Sequence, residues 1–328
     1  MLYNSIIVDT ANLYHRLKKD AKNNHIDIVK RLINYIEGDV RSHLKENGKI
    51  YLLFDPISYS DLGESKNFYY GMDSRRATLS DYKANRVYSP QYLSTIELFR
   101  KYYMYRGEQY VLLYSDEHEA DDYVEELIKI ELAKEADAAI GLLSTDHDWC
   151  SYISVDPKVD MINGSFEKPF TVGEFIKLYQ FTPTAATNTF YKALIGDESD
   201  NITGAIFMKK AKFNMNVKML VRDYLQELAA SNLSLDDAIK QWSKANFKAI
   251  SSNKERTAFE ILFLQMSIVD LKVSIMHKLH DNIRVIRSSL SGKSLEPYMH
   301  SNPVNETINN VVHQSIYGVP FARSFGRV

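Results

Sequence analysis

The sequence predicts an α/β fold built on a mostly parallel sheet, followed by a mainly helical part. Three observations predict it. Four short apolar runs, at 5–9 (SIIVD), 49–55 (KIYLLFD), 110–114 (YVLLY) and 138–144 (AAIGLLS), have the length and composition of buried parallel strands. Helical patterns lie between them, and strand–helix alternation is the signature of a parallel sheet with crossover helices. From about residue 172 the patterns are mainly helical.

The elements follow in order. After the first strand, 26–45 carries apolar residues at Ile28, Leu32, Tyr35 and Ile36, which share one helix face. After the second strand the rhythm breaks. Residues 56–90 form a long polar interval with Gly63, Gly71 and many Tyr, Ser, Asp and Arg residues. Loops of that length in compact domains are usually functional or disordered. Helices are expected at 89–105 and 122–136, and further downstream at 172–180, 184–195, 219–230, 235–246 and 253–269. The tail from about residue 288 (SSLSGKSLEPYMHSNPVN) is rich in Ser, Asn and Pro and reads as extended or partly disordered.

Composition bounds the function. The 328 residues are 45% hydrophobic and 25% charged, as in globular chains that bury a core. Cys150 is the only cysteine, which excludes an intrachain disulfide and a zinc–cysteine site. No apolar run approaches a membrane span, and MLYNSIIVDT has no signal-peptide pattern, so a cytoplasmic location is expected. The net charge of −2 points to no partner by itself.

The distribution of acids says more. Asp9 ends the first strand, Asp55 ends the second, and Asp146 and Asp148 (STDHDW) directly follow the fourth. Ligands of open parallel sheets bind beyond the carboxyl ends of the strands. Glu119, Asp121 and Asp122 (EADD) open the helix after the third strand. Acids in a first turn are ordinary dipole partners, but three in four residues exceeds what a cap requires. Asp197 and Asp200 (GDESDNITG) sit in a polar turn that could equally cap a helix. Unpaired, nine converging carboxylates would repel one another. Oxygen-only donors suit Mg²⁺ or Mn²⁺, and a pair of such ions roughly 3.5–4 Å apart serves in-line phosphodiester displacement.

The blocks VDTANLYHR (8–16), LLFD (52–55), YKANR (82–86), EADD (119–122), STDHDW (144–149) and GDESDNITG (196–204), with a weaker FLQMSIVDL (263–271), occur in the order of a known family. The sequence resembles the flap endonuclease/5′–3′ exonuclease family, most closely its bacteriophage members. The resemblance implies a PIN-like core at 1–180 with a helical arch at about 56–90. It implies a helical DNA-binding region at 181–288, containing a helix–three-turn–helix at about 184–225, and a tail at 289–328. All nine acids match the family's metal-binding positions. Asp55, Glu119 and Asp121 are expected near one ion and Asp146 and Asp148 near a second. Asp9, Asp122, Asp197 and Asp200 then act through waters or hold a further ion. Mg²⁺ is the expected cofactor, with Mn²⁺ able to substitute.

In the arch, the resemblance has Lys83 and Arg86 face the scissile phosphate and stabilise developing charge. Arg75 and Arg76 add positive charge there and are expected DNA contacts, while Tyr82 could stack on an unpaired base near the cut or equally be one of the chain's 22 tyrosines in a core or surface role. After Asp200 the charge changes sign: residues 201–222 hold Lys209, Lys210, Lys212, Lys218 and Arg222 and no acid. Such a stripe suits phosphate-backbone contact. The nine site acids carry −9 of a net −2, so the remainder of the chain is +7. One departure stands out. The family's Gly-x-Gly hairpin after GDxSDN is replaced by TGAIFMKKAKF, where Lys209, Lys210 and Lys212 would act as point charges.

The expected function is a metal-dependent 5′ nuclease, a 5′–3′ exonuclease and flap endonuclease that removes flaps or RNA primers in DNA replication. Its expected partners are branched or 5′-flapped DNA and RNA–DNA primer duplex. It would act as a monomer in the cytoplasm of a bacterium or phage-infected host cell. Contact of the tail with a single-strand-binding protein or clamp is weighed against plain disorder. Two other functions are weighed. A PIN-type ribonuclease on structured RNA would share the chemistry but not need the arch or basic segment. A non-catalytic branched-DNA binder would not need the intact acids.

Overall fold

The structure, a computed structural model, describes residues 2–18, 24–55, 89–104, 106, 109–114, 119–154, 156–184, 187–188, 191, 196–197, 202–203 and 284–287. The arch residues 56–88, most of the helical region after 184 and the tail lie outside the described residues, as do the helices expected at 219–230, 235–246 and 253–269. Among the described residues no helix is long and apolar enough to cross a membrane.

The expected parallel sheet is present. Strands β1 (Tyr3–Asp9), β2 (Leu44–Phe54), β3 (Tyr110–Tyr114), β4 (Ile140–Leu143) and β5 (Val159–Met161) are all parallel, in the order β5-β4-β1-β2-β3. A further strand, β8 (Arg284–Arg287), adds antiparallel at the β3 edge. Two short strands, β6 (Gly196–Asp197) and β7 (Ile202–Thr203), form a separate antiparallel ladder. The sequence pattern does not anticipate β5 or β8.

Five α-helices are described: α1 (Thr10–Lys18), α2 (His25–Tyr35), α3 (Pro90–Tyr103), α4 (Val124–Lys134) and α5 (Val172–Tyr179). In α2 the Asn24 side chain accepts from the Ile26 N–H, and Ile28, Val29, Leu32 and Ile33 are buried. This helix is shorter than the expected 26–45. It passes into a π-helical turn, Ile36–Val40, and the chain is extended by Leu44. Pairing of Leu44 with Tyr3 holds this polar segment in the sheet. In α3, Ser89 caps and Pro90 takes the first turn, where a missing N–H costs nothing. A Thr171–Glu174 capping box starts α5, and Gln180 ends it in the left-handed region at φ 66°.

Side-chain alternation divides the sheet's two faces. Ile6, Val8, Ile50, Leu52, Phe54 and Leu112 join one core with Leu13 and Tyr14 of α1, the apolar face of α2, and Tyr92, Ile96 and Phe99 of α3. The opposite face receives α4, whose Glu131 accepts a 2.6 Å hydrogen bond from Tyr51. The chain thus runs outward from β1 through β2 to β3, then returns past β1 to β4 and β5. The strand order reverses between β1 and β4. A crevice opens at such a switch point in an open α/β sheet.

Candidate metal centre at the carboxyl edge of the sheet

Asp9 stands at the switch point. It ends β1, paired in register with Leu53, while Val8 pairs with Leu143 of β4. The next residue of the β4 chain, Ser144, reaches across: its hydroxyl donates to Asp9 Oδ2 at 2.9 Å and accepts from the Asp146 N–H at 3.0 Å. Asp9 Oδ1 accepts from the Asn12 N–H at 2.9 Å, which fixes the carboxylate at the start of α1. Asn12 and Thr145 are joined by three hydrogen bonds of 2.8–3.1 Å. The ends of β1 and β4 are therefore laced together by residues on either side of the acids.

The second strand delivers Asp55, whose Oδ1 accepts from the Ala120 N–H at 3.0 Å. This bond seats the EADD loop against the end of β2. Within the loop, Glu119 and Asp122 form a reciprocal capping box on the 3-10 turn Ala120–Tyr123, with the Glu119 N–H donating to Asp122 Oδ2 at 3.0 Å. Both side chains are buried. The helix-cap role is thus realised for this pair, alongside whatever else they bind.

The block after β4 forms a second 3-10 helix, His147–Tyr152, capped by Asp146, which accepts from the Asp148 N–H at 3.0 Å. Trp149 is buried beneath it and donates from its indole to Asp121 Oδ1 at 2.6 Å. Tyr152 donates to the Asp121 carbonyl at 2.9 Å. Behind this helix, His147 packs among Phe175, Tyr179 and Tyr191.

Electrostatics ties the strand ends into one site. Burial pushes the Asp9 carboxyl well above its usual range, and the charges of Asp121, Asp55 and Asp146 push it further, against a lowering bond from Asn12. Three separate chain segments thus act on one buried carboxylate. Among the described residues, no three His, Cys, Asp or Glu side chains close into a ready-made cage for an ion. The fit to a metal rests on donor chemistry instead. The convergent donors are all carboxylate oxygens, the set that suits a hard divalent cation. Their mutual repulsion at Asp9 is the cost such a cation would offset.

The described residues thus bring Asp9, Asp55, Asp121 and Asp146 to one edge, with Glu119 and Asp122 in the loop bonded to Asp55 and Asp148 bonded to Asp146. Asp197 lies on β6, opposite Ile202. Asp200, Arg75, Arg76, Tyr82, Lys83, Arg86, Lys209, Lys210 and Lys212 lie outside the described residues. Sequence reasoning missed Ser144, Asn12, Thr145, Trp149 and Tyr152. All but Tyr152 sit inside the quoted blocks VDTANLYHR and STDHDW, which was the available signal.

The mostly parallel sheet, with acids along its carboxyl edge, gives the chain a fold of the PIN-like α/β class. Solved structures of that class share it. The 5′-exonuclease of T5, with divalent zinc ions bound, aligns with a TM-score of 0.53 at 19% identity over 82% of this chain and 89% of that one. A bacteriophage T5 flap endonuclease, captured as a pseudo-enzyme–product complex with DNA and metal ions, aligns with a TM-score of 0.50 at 17% identity over the same shares, 82% and 89%. The fold is that of the flap endonuclease/5′–3′ exonuclease family. No family model matches the sequence, and neither does any curated protein.

Proposed function

We infer that the chain is a structure-specific, divalent-metal-dependent 5′ nuclease acting on branched or 5′-flapped DNA and on primer duplexes during replication. The observation that carries this is Asp9: a buried carboxylate at the topological switch point, charged against by Asp55, Asp121 and Asp146 from three other segments. The likeness to T5 structures with zinc, or with DNA and metal ions, supports the same reading.

In this reading Asp55, Glu119 and Asp121 hold one cation and Asp146 and Asp148 a second, with Mg²⁺ as the physiological ion. Cations held there supply Lewis-acid polarisation of water and phosphate. Ser144 and Asn12 keep Asp9 oriented toward the crevice, and the Ala120 N–H does the same for Asp55. Lys83 and Arg86 offset charge on the scissile phosphate. Arg75, Arg76 and Tyr82 guide the 5′ strand, while Lys209, Lys210 and Lys212 grip the duplex backbone. A water oxygen bonds to phosphorus, the P–O3′ bond breaks, and on balance the proton the water releases is matched by the one the departing 3′-oxygen takes up. The products are a 5′-phosphate and a 3′-hydroxyl.

The test is cleavage of a labelled 5′-flap duplex by wild type and Asp146→Ala, with EDTA as control and a matched RNA flap beside it. A short product from the DNA flap, lost in the variant and in EDTA, is expected. Preferential cutting of the RNA flap would indicate a ribonuclease. Retained binding without any product would indicate a branched-DNA binder.

A further inference from the structure

The 3-10 helix His147–Tyr152 carries two side chains aimed at the other acidic loop. A 3-10 helix has three residues per turn, so positions i and i+3 eclipse. Trp149 and Tyr152 are such a pair, and both act on Asp121. The Tyr152 hydroxyl holds the backbone carbonyl of Asp121, and the Trp149 indole holds Oδ1 of its side chain. An indole N–H is a donor only, so the direction of that bond is unambiguous. At 2.6 Å to a carboxylate it is a short, charge-assisted contact. Trp149 is 0% exposed, so its ring has no room to turn away. The aromatic packing of His147 against Phe175 and Tyr179 holds the helix from behind.

We propose that Trp149 is a positioning residue that occupies Asp121 Oδ1 and assigns ligation of the divalent cation to Oδ2, so that Asp121 binds through one oxygen. The proposal rests on the metal-centre reading above. It also makes the STDHDW block a brace between the two acid groups, beyond its supply of Asp146 and Asp148.

The full-length chain is titrated with Mn²⁺ alone by calorimetry, as wild type and as Trp149→Phe, which keeps a buried ring and removes the donor. Loss of an outer-shell partner weakens metal binding by about 10–100-fold, so the variant's Kd should rise at least about tenfold with a wild-type far-UV spectrum. No binding by wild type would remove the metal centre and this proposal with it. Binding of equal strength by both proteins would overturn the positioning role and leave the metal centre standing. A second measurement stands even if Trp149→Phe fails to fold. The chain has two tryptophans, so in Trp242→Phe the remaining indole is Trp149. Mg²⁺ should then change its emission with the midpoint found by Mg²⁺ calorimetry on the same protein, and an unresponsive emission in a protein that binds the ion would overturn the proposal.

Discussion

Ser144 is fully buried and serves two partners at once, donating to Asp9 and accepting from the Asp146 backbone. Ser144→Ala removes both bonds in a place water reaches poorly. Leaving a buried polar group unsatisfied costs about 1–3 kcal/mol, so urea unfolding should show a loss of that order. A neutral result would mean that the Asp146 N–H finds another acceptor. Asp160 makes a different prediction. Burial chiefly raises its carboxyl above the ordinary value, while the Tyr3 hydroxyl, 3.3 Å away, pulls it down. The folded state therefore keeps a proton that the unfolded state has lost. Its stabilising contribution is full below the unfolded value of about 3.9 and is lost as pH rises through the folded value. Asp160→Asn keeps a Tyr3 acceptor without the titration. Its stability relative to wild type should therefore grow from about pH 4 to about pH 7 in urea unfolding. A pH-independent difference would refute the burial argument.

At the scale of elements, β2 shows what the sequence could and could not tell. The apolar stretch 49–55 is legible because nearly every residue in it is buried. The preceding LKENG is polar and reads as the tail of a helix, yet Leu44 pairs with Tyr3 across a register shift. Gly48 makes that shift possible: a Cβ there would lie 2.6 Å from Leu44 Cγ and 2.9 Å from the Asn4 carbonyl oxygen. Gly48→Ala should cost about 1–3 kcal/mol, read as a lowered unfolding midpoint. Leu44→Ala in the same chain should recover only part of it, since the Asn4 oxygen is backbone. β5 and β8 were illegible for related reasons. Three residues give no alternation to detect, and Arg284–Arg287 acquires its strand character from β3, far upstream. Asp9, Asp55, Asp146 and Asp148 were legible because they follow apolar runs, and Glu119, Asp121 and Asp122 because three acids stand within four residues. Their supports were not, because the bond from Ser144 to Asp9 spans 135 residues and that from Trp149 to Asp121 spans 28.

At the scale of the whole molecule, the acidic edge sets stability against function. Carboxylates gathered around buried Asp9 disfavour the folded chain, and on the proposed reading an ion that bound only the folded state would restore that loss by mass action, about 2.7 kcal/mol at a hundredfold excess over Kd. Mg²⁺ should raise the thermal midpoint of wild type above its value in EDTA. Asp9→Asn should be the more stable protein in EDTA and gain less from Mg²⁺. An identical Mg²⁺ gain in both would sink the claim that Asp9 belongs to the ion's surroundings.

The place of β1 in the sheet has a consequence in time. The first strand made is the central one, and Asp9 finds Ser144 only after 135 further residues exist. At synthesis rates of about 5–20 residues per second, that is roughly 7–27 s during which the growing chain carries its acids without a site. Pairing across such separations is also slow to form. A ribosome-bound fragment shorter than β4 is therefore expected to lack the Ser144 bond that holds Asp9, and the acidic edge assembles only once the core closes.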